Sequence, residues 1–451
     1  MKKGHCHRMS WIIAAVTMAV LAVALPAVTL AQVSEATRAT KRDKGKVEET
    51  AAPAPAYSKE FRKEAAKVQK LVNEKKWPEV LAALPALDVL PSLSGDELKV
   101  IATWRLQATQ ATGDMDAFTA AIEHFLQKGY AAPEQIGPMN QQLAAYYNGK
   151  KDRVKTAHHY RLFIDATPDA DAKELETLGR LYLQNSDYTE AAHWLGKATD
   201  FAVGRGEKPD EAWFQLRDRC FVELKDQAAR LANLEALIGY YPNKEYYSRI
   251  LAIYQSETKD DRIVMLNAYR LAVADPQGGL ATVGGYLGYA DTALVAGSPG
   301  EAVRGLERGM KEGIVPSAGS NQAALQEAKA AVAIDRKNLP AEANAAEKSP
   351  KGEVAVKVGL GFYSTGDYER AVEMVRRGIE KGGVARLDDA NLLLGAALME
   401  LGRRDEAKVA FQAAASSAGP GSHLARIAGL WLTRAARPDV AAAADAEAGG
   451  S

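Results

Sequence analysis

Three stretches of this chain can be laid over one another: LGRLYLQNSDYTEAAHWLGKA (178–198), VGLGFYSTGDYERAVEMVRRG (358–378) and LGAALMELGRRDEAKVAFQAA (394–414). In each, a glycine (Gly179, Gly359, Gly395) is followed twelve positions later by an alanine (Ala191, Ala371, Ala407), with a turn between them. Two antiparallel helices joined by a short turn approach closely only where facing side chains are small, so the spacing predicts helical hairpins packed at these six residues. A recurring hairpin constrains the fold strongly, because one copy cannot bury its own apolar face and must stack on the next. Elsewhere apolar residues recur at intervals of three and four, β-branched runs are short, and Gly or Pro breaks recur, so no strand is predicted.

Extending the register places the small first-helix position at Val68, Leu106, Ala144, Gly179, Arg217, Leu251, Ala290, Gly359 and Gly395, in steps of 38, 38, 35, 38, 34, 39, 69 and 36. The step of 69 is two periods and predicts a degraded copy centred near Ala324. The segments resemble the tetratricopeptide repeat (TPR). In the first copy Leu178, Gly179, Tyr182, Ala191, Leu195 and Ala198 stand at family positions, with Asp187-Tyr188 at the turn. Leu394, Gly395, Ala407, Phe411 and Ala414 do so in the last copy, whereas Leu106, Arg217 and Leu251 stand where the family carries a small residue. The resemblance implies an all-α, right-handed α-solenoid of about ten TPR-like hairpins over residues 57–420. The amphipathic stretch SHLARIAGLWLTRAA within 421–437 is predicted to be a helix covering the final apolar face.

The chain begins with Lys2, Lys3 and Arg8, continues in an apolar run from Trp11 to Leu30, and has small residues at Thr29 and Ala31. This predicts a signal peptide over 1–31, cleaved after Ala31, or alternatively a retained anchor of about 20 residues; both readings export the body. Cleavage removes three of the 57 basic residues and leaves 54 against 57 acidic ones, a balance that argues against nucleic-acid binding. It also removes Cys6, so Cys220 has no disulfide partner within the chain. Cys6 precedes the apolar run, and no lipid anchor is predicted. Residues 32–56, charged and then Ala-Pro-Ala-Pro-Ala, are predicted to be a disordered linker, and residues 438–451, rich in Ala, Asp and Gly, a disordered tail.

A phosphate loop, nucleophile elbow, metal triad or dinucleotide fingerprint would each mark an enzyme of this length, and none is present in the sequence. Gly359, Gly361 and Gly366 lie on a repeat's first helix with no strand before them, which removes the nucleotide-loop reading. His158 and His159 point about 100° apart on one helix and cannot easily share a metal. Cys220 reads as a small buried apolar residue. No catalytic, cofactor-binding or metal-ligating residue is assigned. Tyr240, Tyr241, Tyr246 and Tyr247 around Pro242 read as core or as interface anchors, with Tyr247 at the buried aromatic position of its repeat.

A stacked array presents the exposed face of its first helices along a concave surface where extended partners bind. In this register that face carries Arg180, Phe214, Asp218, Phe221, Asp291 and Tyr363, the candidate partner-binding residues. Phe214 and Phe221 share one helix face around Asp218, either as a peptide anchor or as packing between repeats.

Two further segments, YYPNKEYYSRILAIYQ (240–255) and GIEKGGVARLDDANLLLGAALMELGR (378–403) with its Lys381-Gly382-Gly383 linker, are similar to exported TPR proteins associated with TonB-type energy-transduction systems of Gram-negative bacteria. That resemblance implies a non-enzymatic periplasmic scaffold whose partners are proteins or peptides, the TonB-type inner-membrane motor components among them. The alternative binding module is an assembly factor for outer-membrane proteins or exported polysaccharide. The alternative from another class is an enzyme whose groups converge on the concave face without a familiar motif.

Overall fold

The computed structural model describes residues 57–258 and 261–437. The segments expected as signal peptide (1–31), linker (32–56) and tail (438–451) lie outside the described residues. The described residues form twenty helices and no strand, so the fold is all-α. The chain divides into two compact units, with the boundary between Trp194 and Leu195.

The first unit holds α1 (Lys59–Asn73), α2 (Trp77–Asp88), α3 (Gly95–Thr112), α4 (Met115–Gln127), α5 (Pro133–Gly149), α6 (Arg153–Asp165) and α7 (Ala172–Gln184), and the start of α8 (Tyr188–Gly204). The second unit continues from α8 through α9 (Glu211–Glu223), α10 (Gln227–Tyr240), α11 (Lys244–Thr258), α12 (Arg262–Ala274), α13 (Val283–Val295) and α14 (Pro299–Lys311). It ends with α15 (Gly319–Lys348), α16 (Gly352–Thr365), α17 (Tyr368–Lys381), α18 (Leu387–Glu400), α19 (Arg404–Ala418) and α20 (His423–Ala436). All nine register positions from Val68 to Gly395 lie on the first helix of a hairpin.

Five of the nine hairpin turns share one local device. A residue in the left-handed region (Gly113, Lys151, Ser186, Lys225, Gly366) is followed directly by an aspartate (Asp114, Asp152, Asp187, Asp226, Asp367). Each of these carboxylates accepts a hydrogen bond from a backbone N–H in the first turn of the following helix. The left-handed residue ends one helix and the aspartate satisfies an orphan amide of the next, so the chain reverses in the fewest residues.

Packing within the hairpins depends on the small residues, with one change of partner. A Cβ on Gly359 would stand 2.5 Å from Val375 Cγ2 and 3.3 Å from the Ala371 carbonyl, and one on Gly395 would stand 2.3 Å from the Phe411 ring. The glycines therefore sit beneath the side chain sixteen positions on, one helical turn past the alanine. Gly179, Ala191, Ala371 and Ala407 are buried.

Where a degraded tenth hairpin was expected, around Ala324, the structure has α15, a single helix of 30 residues. The stretch from 320 to 348 contains no glycine and is rich in Ala, Glu, Lys and Gln, so helix propensity carries it past the point where other repeats turn. The described residues thus hold nine hairpins. The hairpins on either side of α15 meet directly: the Gly300 N–H donates to Ser364 Oγ at 2.8 Å and Arg304 Nη1 to the Ser364 carbonyl at 2.9 Å.

The last helix does more than cover α19. One face of α20 stacks Trp431 on Phe411, with ring centroids 5.0 Å apart. Its other side reaches α10 and α12, where Arg426 makes two bonds to Glu235 at 2.9 and 2.7 Å and Arg434 Nη2 donates to the Ala274 carbonyl at 2.5 Å. The second unit is therefore closed on itself, with α18 also meeting α12 through Asn267 Nδ2 and Asp389 Oδ1 at 2.7 Å.

Replacing Gly395 by Ala is expected to cost roughly 1–3 kcal/mol by overpacking against Phe411. The double variant Gly395→Ala/Phe411→Leu should recover part of that loss in urea melts, and simple additivity of the two single changes would show that the contact is not as described.

Candidate functional site

The closure of the second unit shapes a cleft of about 600 Å³, within the range of small-ligand and side-chain pockets. One wall is α12, with Arg262, Ile263, Leu266 and Arg270, continued by the end of α13 at Val295. The other is α16, with Glu353, Val356, Lys357 and Leu360, and the start of α18, with Arg386, Asp389 and Leu393. The walls are mostly aliphatic; charged groups occur at the exposed ends and on the α12–α18 side.

Beneath the α12 wall lies a largely buried polar network that reaches the cleft at Asp389. Arg270, 3% exposed, makes a bidentate pair with Glu301, 0% exposed, through Nε at 2.8 Å and Nη2 at 2.7 Å. The same carboxylate accepts from the Tyr289 hydroxyl at 3.0 Å and the Ser298 hydroxyl at 2.7 Å, which fills its lone pairs. Burial pushes the Glu301 carboxyl up, but the guanidiniums of Arg270 and Arg304 and the Ser298 hydroxyl outweigh it and hold the group below its ordinary value. From Arg270 Nη1 the chain of bonds passes to Asn267 Oδ1 at 3.0 Å and from Asn267 Nδ2 to Asp389 at the cleft. Asp389 opens partly into the cleft yet is surrounded by protein on most sides. That burial raises its carboxyl above the ordinary value against the opposing effect of Asn267, Arg270 and Arg386.

The expected partner-binding residues do not come together. Phe214 is fully buried, its ring against Tyr240 and its carbonyl accepting from Asn233. Tyr363 is 2% exposed and lies within 5.1 and 5.4 Å of the Arg270 and Arg304 guanidiniums. Both belong to the core instead of an open concave face, because the neighbouring hairpins cover them. Asp218 is buried and clamped by Arg230 at 2.8 Å and Arg249 at 3.1 Å, which ties α9 to α10 and α11. Phe221 is half-buried under the Arg217 guanidinium, Arg180 pairs with Glu176 at 2.6 Å on α7, and Asp291 is exposed on α13.

Arg270, Glu301, Asn267 and Asp389 were not among the expected residues. The one signal present was the Ser298…Glu301 spacing at a helix start, a capping pattern; that its carboxylate reaches Arg270 depends on how the hairpins stack.

The first unit has its own cleft of about 640 Å³ between α4, α5 and α6, lined in part by Glu123, Ile136, Lys155, His158, His159 and Leu162. His159 Nδ1 lies 3.0 Å from Asn140 Oδ1 and its ring stacks on Tyr147; burial, then the neighbouring His158, pushes the imidazole below its ordinary value. Among the described residues no group of three His, Cys, Asp or Glu is placed to hold a metal ion, and no helix is long and apolar enough to cross a membrane. Cys220 is buried and its thiol is pushed up to about 11, which keeps it protonated and unreactive. Tyr246 and Tyr247 are core residues, Tyr241 bonds the Pro209 carbonyl, and Tyr240 is exposed.

No family model and no curated protein matches the chain. Among solved structures, the TPR domain of P58(IPK) is 13% identical over 84% of this chain and 100% of its own, with a TM-score of 0.21. The TPR2AB domain of yeast Sti1, in a complex with pHSP90, is 10% identical over 67% of this chain and 100% of its own, with a TM-score of 0.21. A tetratricopeptide repeat protein from Parabacteroides merdae is 12% identical over 66% of this chain and 99% of its own, with a TM-score of 0.24. At these values the likeness carries no argument about partners; by its own hairpins and their stacking, the chain is an all-α, TPR-like repeat solenoid.

Glu301→Gln leaves Arg270 buried without its counter-charge and is expected to lower stability by about 3–5 kcal/mol in urea melts. Because the folded pKa of Glu301 is depressed, its contribution should be complete above the ordinary value of 4.5 and fade as the pH falls through the lower folded value. Asp389 has the opposite sign: with its folded pKa raised above 3.8, it favours folding only while protonated, and that contribution is lost as the pH rises. Asp389→Asn should therefore raise the melting temperature at neutral pH and change it little near pH 3; a lower melting temperature at neutral pH would contradict this account.

Proposed function

We propose that this chain is a non-enzymatic periplasmic scaffold that gathers protein partners, working as an accessory of a TonB-type outer-membrane transport system. The observation that carries the binding role is the cleft of the second unit, where aliphatic walls on α12, α16 and α18 end in charged groups, the composition expected of a site for a protein segment. Support for a non-catalytic role comes from the disposition of the buried polar groups beneath the cleft. Arg270, Glu301, Tyr289 and Tyr363 are engaged with one another in a buried network, which leaves them structural work to do. Support for the periplasm and for the TonB-type system comes from the export-signal pattern of residues 1–31 and from the resemblance of segments 240–255 and 378–403.

The test is crosslinking in cells expressing the full chain, followed by affinity capture from membranes and mass spectrometry of the partners. Recovery of TonB-type motor components is the expected outcome. Recovery of outer-membrane protein or polysaccharide assembly machinery in their place would transfer the reading to an assembly factor. Leu360→Lys, which places a charge on the cleft wall, should reduce capture at least tenfold while circular dichroism still reports the helical array. Undiminished capture would remove the cleft from the site.

A further inference from the structure

The cleft of the second unit contains one polar group that its own chain leaves half used. Asp389 Oδ1 accepts from Asn267 Nδ2 at 2.7 Å, and among the described residues no donor reaches Oδ2. Asn267 has nothing further to give, because the same Nδ2 also donates to the Ile263 carbonyl at 2.9 Å and its Oδ1 accepts from Arg270. The cations around the cleft are bound elsewhere. Arg270 is held by Glu301, Arg386 by Asp388 at 3.2 Å, and Lys357 stands 3.7 Å from Glu353 at the exposed end of the α16 wall. Arg262, exposed at the start of α12, does not pair with Asp389.

Two observations point to a ligand at that oxygen. The first is that the charge sits where it weakens the empty fold. Burial raises the Asp389 carboxyl against the pull of Asn267, Arg270 and Arg386, so the ionised form is under-compensated. A carboxyl held under that penalty at the wall of a cleft is a mark of a binding site. The second is the surface around it, which is aliphatic. Leu266 and Leu393 are buried in the walls, Leu360 is half-buried, and Val295 carries the apolar surface out towards solvent at 53% exposed.

We infer that the cleft takes a partner segment carrying a lysine between aliphatic residues, with its ammonium on Asp389 Oδ2 and its stem along Leu266, Leu360 and Leu393. The inference rests on the reading of this cleft as a protein-binding site and adds the chemistry of the occupant. A lysine ammonium is a compact charge that one oxygen can receive, and its hydrocarbon stem gains from aliphatic surface. An arginine fork is matched by two parallel acceptors, and here Asn267 already occupies one of the pair. A glutamate would meet Asp389 with like charge, and a glutamine would bring a donor without the charge.

The probe is the peptide acetyl-Ala-Leu-Lys-Leu-Ala amide, titrated into the full chain by isothermal calorimetry beside versions with Arg, Gln or Glu at the centre. The lysine peptide should bind at least about tenfold more tightly than the Gln and Glu versions, and more tightly than the Arg version. Asp389→Asn should abolish the preference for lysine over glutamine. That variant removes an under-compensated charge and keeps an acceptor for Asn267, and circular dichroism checks that it folds; where it does not, the ranking of the four peptides on the unaltered chain decides alone. A lysine preference that survives in Asp389→Asn would overturn the inference. So would equal affinity for the lysine, glutamine and glutamate peptides; if all three are lost in Leu360→Lys, the cleft itself still stands as the site. Lysine-selective binding that depends on Asp389, with no TonB-type partner captured in cells, would count against the function proposed above and not against this inference.

Discussion

The guanidinium of Arg270 has almost no contact with water, and the second unit is arranged around neutralising it. A charge in that position is tolerable only with a counter-charge and with its remaining donors filled. Glu301 supplies the charge from the first turn of α14, Tyr289 and Ser298 hold Glu301 in place, and Asn267 takes the remaining arm. The ring of Tyr363, on α16, lies against the same cation. Helices α12, α13, α14 and α16 are thereby held in one relative position. Through Asn267 and Asp389 that arrangement also reaches α18, which belongs to the far end of the unit.

The consequence for function is geometric. The buried network holds the α12 wall of the cleft against the opposite wall, reaching α16 through Tyr363 and α18 through Asp389. The cleft is thus a preformed feature, with both walls fixed by contacts that are already made in the folded chain. The first unit has its own hairpins and its own cleft beside His159.

Much of the local structure was legible in residue order. Asp187-Tyr188 marked a hairpin turn in the sequence, and the structure shows the same device, an Asp after a left-handed residue that satisfies an amide of the next helix, at 114, 152, 226 and 367. Gly359 and Gly395 marked close approach, although the side chains they admit, Val375 and Phe411, lie a turn beyond the alanines that carried the periodicity. The candidate face was not legible. Phe214 and Tyr363 have the helical phase of exposed first-helix positions, and they are buried because neighbouring hairpins close over them, which periodicity within one repeat does not report.

By itself, then, the sequence determined that this chain is an all-α array of TPR-like hairpins, since propensity, capping and small-residue spacing act between residues a few turns apart. The tertiary structure alone decided that Arg270 finds Glu301 and that α20 returns to α10 and α12. Those outcomes depend on the angle accumulated from repeat to repeat. Small differences in packing at each hairpin add up over the unit, and only their sum brings Arg426 to Glu235, 191 positions away in the chain.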